Sequence, residues 1–351
     1  MINLNQRQKK IIAILLRQSG LQSSVILKEL TKLGEEISLV TVKRDLSEMV
    51  RVGALIEVGS GRYVNYILST KGRIFFDVDA HEYCSIDPDK RYGLRQYNFD
   101  VISSVGDDVF SSEELERIEL MTAGYKSKSG ALSATIQKKE LERFVIELSW
   151  KSSKIEGNTY TLLDTEKLIM ERKKAEGKTE QEARMILNHK DAFDFIYKKP
   201  ENFKTITRKN LDELHTILIK DLGIDAGFRK DAVGITGSIY RPLDNIHQIN
   251  DAVEVLASAI SQIKSPYAKA LLALIGISYI QPFADGNKRT GRLMADALLL
   301  AYGLPPLSYR STDENDYREA TLSFYELNSI IPIKKIFIGQ YEFTVQNYKI
   351  I

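Results

Sequence analysis

The sequence predicts a mainly α protein: a helical core carrying a small β-hairpin flap, preceded by a separate small domain of helices and a hairpin. Three observations predict it. From about Ser133 onward apolar residues recur at helical spacing in one segment after another, and strand-like character is confined to 233–240. Within that region two strongly apolar stretches, 266–280 and 293–303, flank a polar loop. Residues 1–70 instead pass from helical periodicity to two short β-rich runs around Gly59-Ser60-Gly61. A chain of 351 residues suits two or three domains; the expected divisions are 1–70, a connector at 71–132, and a core at 133–345.

Taken in order, 6–18 carries Ile11, Ile12, Leu15 and Leu16 on one helical face. Ser23 or Ser24 can cap a second helix through Leu27, Leu30 and Leu33 to Gly34, and Ser38 can cap a third with Val42, Leu46 and Met49 inward. Residues 54–58 and 62–68 read as paired strands. This order, with Ser38, Thr41, Val42, Lys43, Arg44, Asp45 and Leu46 at their spacing, resembles a winged helix-turn-helix of the DeoR-like kind. The resemblance implies that Thr41, Lys43, Arg44 and Ser47 face the major groove of duplex DNA, with Arg62 on the wing meeting phosphate. The alternative is a module that contacts only protein, its charges forming a solvated face. Residues 1–73 hold 12 Lys+Arg against 6 Asp+Glu, a balance of +6 in a chain whose net charge is +2. A basic end on a mildly acidic body suits an anionic partner for that end alone.

The connector reads as partly helical over 92–102 and 111–123. Beyond it, helices are expected over 139–152, 166–176, 180–198 and 207–220, with Thr165 and Thr207 as N-caps. Pro266 starts a buried helix that runs to Ile280, and Leu293, Ala297, Leu298 and Leu300 carry another to Gly303. A single cysteine, Cys84, excludes an internal disulfide and fits a reducing compartment, and with four histidines it argues against a zinc site. The apolar run at 11–16 is too short for a signal peptide or a membrane helix, so the cytoplasm is the expected setting.

The chemistry concentrates in Gln281-Pro282-Phe283-Ala284-Asp285-Gly286-Asn287-Lys288-Arg289-Thr290-Gly291-Arg292. A helix stops at Pro282 and another begins near Lys288, which makes a loop feeding a helix N-terminus, a ready site for an anion. Asp285 offers a hard oxygen ligand for magnesium. Arg289 and Arg292, three apart, can both reach phosphate oxygens.

The stretch resembles the signature of the Fic family, HxFx(D/E)GN(G/K)RxxR, whose enzymes move AMP from ATP onto a protein hydroxyl. The resemblance covers roughly 90–345 and implies a Fic-type core, ATP and Mg2+ as cofactors, and as partner a protein with a modifiable hydroxyl, or the chain itself. Gly286, Asn287, Lys288, Arg289 and Arg292 would then bind the nucleotide phosphates, and Asp285 the metal. The family's histidine, its general base, is Gln281 here, and a glutamine amide has no useful basicity near neutral pH. The second motif glycine is Lys288, as in the death-on-curing toxins, Fic-fold kinases that keep the histidine. There a lysine adds a charge for phosphate and fills space that glycine leaves open.

Upstream, Ser152, Glu156 and Gly157 match the (S/T)xxxE(G/N) pattern of the family's inhibitory helix, expected near 139–157. The resemblance implies that Glu156 pairs with Arg292 and so displaces the γ-phosphate; otherwise Glu156 merely ends a helix. Ala226-Gly227-Phe228-Arg229 and 233–240 resemble the family's turn and flap, in which Gly234, Thr236 and Gly237 keep a small hairpin that adds a strand to the target peptide. An ordinary surface hairpin is the alternative. Asn315 and Tyr317 fall where the family places adenine or ribose contacts, while His189 and His215 read as structural and His247 lies nearer the flap. The expected function is a Fic-type protein adenylyltransferase, impaired by Gln281 and held inhibited by Glu156. The alternative is a non-catalytic nucleotide-sensing or DNA-binding regulator on a Fic core.

Overall fold

Residues 4–129 and 132–350 are described by a computed structural model of the chain. They divide into two units, one of Met1–Val105, Ile235–Arg241 and Glu319–Pro332, the other of Gly106–Gly234, Pro242–Arg318 and Ile333–Ile351.

The first unit runs α1 (Gln6–Arg17), α2 (Ser23–Lys32), α3 (Leu39–Arg51), β1 (Leu55–Val58), β2 (Asn65–Leu68), α4 (Thr70–Ile74) and α5 (Ala80–Cys84). Ile11, Ile12 and Leu15 of α1, Ile26 and Leu30 of α2, and Val42, Leu46 and Met49 of α3 are buried together in one apolar core. Ser38 caps α3, its Oγ accepting the Thr41 N–H at 3.3 Å. Neither Ser23 nor Ser24 caps α2: the extended residue there is Gln22, so the serines are already inside the first turn. β1 pairs antiparallel with β2 from Leu55↔Leu68 to Val58↔Asn65, and Leu21 adds a single bridge to Tyr66. The side chain of Arg62 lies outside the described residues.

The strand pair expected over 233–240 does not form, because the backbone donors there are spent elsewhere. The N–H of Ser238 goes to Ile235 O (3.1 Å) and that of Arg241 to Arg95 O (2.9 Å). Ile239 N–H is taken by the Glu326 carboxylate (3.2 Å) and Tyr240 N–H by Ser238 Oγ (3.1 Å). A ladder needs those groups for a facing strand. Thr236 and Gly237 form a tight turn, and Arg91 Nη1 donates to the Gly237 carbonyl at 2.8 Å. Glu326, fully buried, also accepts from the Tyr83 hydroxyl (2.7 Å) and Ser238 Oγ (2.7 Å). Among the described residues the paired strands are therefore β1 and β2. Nor is there a helix over 92–102, where Leu94 N–H reaches across to Glu326 O at 2.6 Å.

The second unit is helical: α6 (Ser112–Ser129), α7 (Ala134–Ile155), α8 (Leu162–Glu171), α9 (Glu180–Lys198), α10 (Arg208–Ile219), α11 (Ile246–Gln262), α12 (Pro266–Ile280) and α13 (Asn287–Ala301). Two further helices, α14 (Glu314–Leu327) and α15 (Ile331–Asn347), have residues in both units. Thr207 caps α10, but Thr161 rather than Thr165 caps α8; Thr165 Oγ1 donates back to Thr161 O at 2.9 Å from within the first turn. Every residue of α12 from Tyr267 to Ile280 is buried, as befits a helix that is apolar on all sides. α13 packs directly on it at Gly291, where a Cβ would stand 2.8 Å from Leu274 O. Only a residue without a side chain lets the two backbones come that close. Among the described residues no helix is long and apolar enough to cross a membrane.

Replacing Gly291 by alanine should push α13 off α12 and lower stability by about 1–3 kcal/mol, the usual cost of overpacking. Urea unfolding of the two proteins measures it, and an unchanged midpoint would show that the helices are free to separate.

Candidate functional site

α12 ends because Gln281 turns left-handed (φ 52°) and Pro282 follows, which can neither donate to a helix nor tolerate one before it. A non-glycine residue at positive φ must be held there by its surroundings. Gln281 is so held: its carbonyl accepts Arg229 Nε at 2.7 Å, its Nε2 donates to Ser278 O at 2.6 Å, and its Oε1 accepts Asn287 Nδ2 at 2.8 Å. Asn287 also braces the loop, giving Nδ2 to Phe283 O (2.8 Å) and accepting the Phe283 N–H on Oδ1 (2.9 Å). His215 of α10 stacks on Phe283 with ring centroids 3.7 Å apart, and its Nε2 lies 2.9 Å from Asp285 O. A carbonyl can only accept, so Nε2 carries the proton. Burial pulls the His215 pKa from 6.5 down to about 4.

The loop delivers α13 with its N-terminus open. Gly286 is the N-cap and no side chain caps the first turn; the first helical bond is Thr290 N–H to Gly286 O at 2.8 Å. No acidic residue occupies that turn, which instead carries Lys288 and Arg289. The dipole and the cations thus add, an arrangement that favours an anion. Arg289 is nearly fully buried and pairs through Nη2 with Asp285 Oδ2 at 3.1 Å; its Nη1 has no partner.

Opposite lies the end of α7. Glu156 is its C-cap and Gly157 (φ 94°) follows left-handed, with Gly157 N–H on Lys154 O (2.9 Å) and Asn158 N–H on Ser153 O (3.1 Å). This is the Schellman ending that wants glycine, and it aims Glu156 outward. Glu156 Oε1 lies 2.9 Å from Arg292 Nη2 and Oε2 lies 2.8 Å from Lys288 Nζ. Arg292, fully buried, also gives Nε to Ser152 Oγ and Nη2 to Ser152 O, both at 2.9 Å. Its guanidinium lies 5.3 Å from the Tyr317 ring and 6.0 Å from that of Tyr309. Burial alone would raise the pKa of Glu156, but Arg292 and Lys288 outweigh it and hold the carboxyl down to about 2. It is a carboxylate throughout the folded range.

The structure thus brings together Ser152, Glu156, Gly157, Gln281, Asp285, Gly286, Asn287, Lys288, Arg289 and Arg292. Tyr317 is buried against Arg292, Asn315 is exposed, and His247 stands exposed at the start of α11. Gly234 belongs to the second unit, whereas Thr236 and Gly237 belong to the first. There too lie Lys43 and Arg44, exposed on α3, while the Thr41 hydroxyl is occupied 3.1 Å from Ser38 Oγ. Sequence reasoning missed Arg229 and His215 as braces of the loop and the contact of Lys288 with Glu156. His189 is fully buried with neither ring nitrogen bonded, and burial with nearby Arg292 and Arg289 drives its pKa well down.

Among the described residues no group of three or more His, Cys, Asp or Glu could hold a metal ion. The Asp285 side chain, 65% exposed, supplies one carboxylate. That suits a magnesium ion held mainly by a ligand's phosphates and not one caged by protein.

Residues 205–299 match the Fic/DOC family model. The chain is 30% identical over 186 residues to the protein adenylyltransferase Fic of Nematostella vectensis, covering 52% of this chain and 44% of that protein. With the protein adenylyltransferase Fic of Drosophila ananassae the chain shares 27% over 285 residues, 80% of this chain and 54% of that one. It therefore spans about half the length of these curated relatives. Among solved structures, a Fic domain containing signaling protein from Bacteroides thetaiotaomicron matches with a TM-score of 0.56 at 21% identity, over 65% of this chain and 94% of that one. A Fic family protein from Desulfovibrio desulfuricans matches with a TM-score of 0.55 at 18% identity, over 68% and 74%. At such identities the likeness is one of fold.

Between pH 6.5 and about 4 the unfolded chain binds a proton at residue 215 that the folded one refuses. Stability should therefore fall as pH drops through that window. A His215→Phe variant, which keeps the stacking, should show a shallower fall in Tm from pH 7 to pH ~4; an equally steep one would mean that His215 titrates normally.

Proposed function

We propose that this chain, a Fic/DOC family protein homologous to the Fic protein adenylyltransferases, is a protein adenylyltransferase core held idle by two residues. In the reaction an acceptor Ser, Thr or Tyr oxygen bonds to the α-phosphorus of ATP while the bond to pyrophosphate breaks, and the hydroxyl proton must leave. The open start of α13 with Gly286, Asn287, Lys288, Arg289 and Arg292 takes the phosphates, and Asp285 would hold a phosphate-bound Mg2+, which would screen their charge. Gln281 stands where a base would accept the proton, and an amide with both ends already hydrogen-bonded does not. Losing a general base costs about 10²–10⁴-fold, so slow transfer by positioning and electrostatics alone remains open. The observation that carries the reading is the Glu156–Arg292 pair at 2.9 Å against an uncapped helix start.

The test is labelled Mg–ATP with the chain, Gln281→His, Glu156→Gly and both together. The double variant should transfer AMP well beyond either single one, non-additively, since both changes act on one transition state. Mass spectrometry separates AMP from phosphate adducts; a phosphate adduct would make it a kinase. Absence of any adduct, even with Lys288→Gly added, would leave the regulator reading.

A second reading keeps the core as a nucleotide sensor and gives residues 1–70 to duplex DNA. It is favoured by Lys43 and Arg44, exposed four and five residues on from the start of a capped helix at Leu39, and by the order helix, helix, helix, hairpin that a winged helix-turn-helix would have. Binding to a duplex should weaken steeply with salt, because each neutralised phosphate releases counterions. Lys43→Ala with Arg44→Ala should lower both affinity and salt slope in gel-shift titrations. No retardation at low salt would make this unit a protein contact.

A further inference from the structure

The nucleotide reading leaves one side chain with two masters. Lys288 Nζ lies 2.8 Å from Glu156 Oε2, while Arg292 Nη2 lies 2.9 Å from Oε1. Each carboxylate oxygen therefore has its own cation. The two contacts are unequal in kind. Arg292 is fully buried and already donates to Ser152 Oγ and Ser152 O, and Glu156 Oε1 makes no hydrogen bond, so that pairing is Coulombic. Lys288 is 30% exposed on its side chain, on a flexible stem at an open helix start. It can leave Glu156 and still be solvated; Arg292 cannot.

We propose that Lys288 is a shared ligand: in the resting chain it is the second cation that seats Glu156, and when a polyphosphate enters it passes to the terminal phosphate that takes the carboxylate's place. The proposal rests on the nucleotide reading and deepens it. A carboxylate bridging two cations occupies the position of a terminal phosphoryl group bridging the same two. The ligand class that opens the lock is then one with a terminal phosphate able to reach both Lys288 and Arg292, and a shorter phosphate chain should open it less well. A lysine is suited to this because it binds as a movable point charge with three donors. It follows that Lys288 adds little to binding while Glu156 is present, because it must give up that partner to meet the phosphate, and adds its full contact once Glu156 is neutralised.

The experiment is a cycle of four full-length proteins: the unaltered chain, Lys288→Met, Glu156→Gln and the double variant. Each is titrated by calorimetry with Mg–ATP, Mg–ADP and magnesium tripolyphosphate. With Glu156 present, Lys288→Met should leave ATP and tripolyphosphate binding nearly unchanged; with Glu156→Gln it should weaken both by about tenfold, the scale of one charge-assisted hydrogen bond. The difference between the two backgrounds should be smaller with ADP. A purely structural lysine would shift both backgrounds equally, and that result, or an equal difference with ADP, would overturn the proposal. Thermal unfolding of the same four proteins without ligand must show Lys288 and Glu156 coupled; independent effects would also overturn it. Absence of binding in all four would overturn the nucleotide site and the proposal with it, whereas binding with equal effects in both backgrounds overturns the proposal alone.

Discussion

A guanidinium taken wholly out of water must be paired, and much of the second unit is arranged around that requirement at Arg292. The last turn of α7 supplies two oxygens from Ser152 and the carboxylate of Glu156, and the faces of Tyr309 and Tyr317 lie to the side. The Schellman ending at Gly157 sets where that carboxylate points. The negative end of α7 and the positive start of α13 thus face each other through an ion pair, and the anion that a helix start attracts is already present inside the chain.

The loop before α13 obeys a second constraint. It must turn sharply within a few residues and still leave the first N–H groups of α13 free. Pro282 and left-handed Gln281 make the turn, Asn287 ties it internally, and Arg229 and His215 hold it from outside. These braces leave the amide of Gln281 with both its ends engaged. The bracing of the loop and the engagement of the Gln281 amide are consequences of one hydrogen-bond network.

In the first unit Glu326 plays the part that Arg292 plays in the second. A buried carboxylate collects donors, here from Tyr83, Arg91, Ser238 and Ile239. In doing so it converts 235–241 from a strand into a fixed turn. Arg91 and Arg95 hold the same turn, through Arg91 Nη1 on Gly237 O and the Arg241 N–H on Arg95 O.

Periodicity and punctuation by themselves determined the helical character of the chain, the β1–β2 hairpin, the Ser38 and Thr207 caps and the stop at Pro282. These depend on residues within a turn or two of each other, and local physics decides them. The loop before Arg292 was likewise readable as a helix stop and a helix start, because each needs particular residue types, whereas the Ser152, Glu156, Gly157 spacing stands out only through the family resemblance. What only the tertiary structure decided involves partners far apart in the chain. The fate of 233–240 hung on Glu326 and Arg91, which no spacing rule connects to it. The place of Lys288 hung on which charge it met across the fold. Alone at a helix start it reads as a phosphate ligand, and opposite Glu156 it becomes an internal ion pair, because a cation takes the nearest fixed anion before one that has yet to arrive.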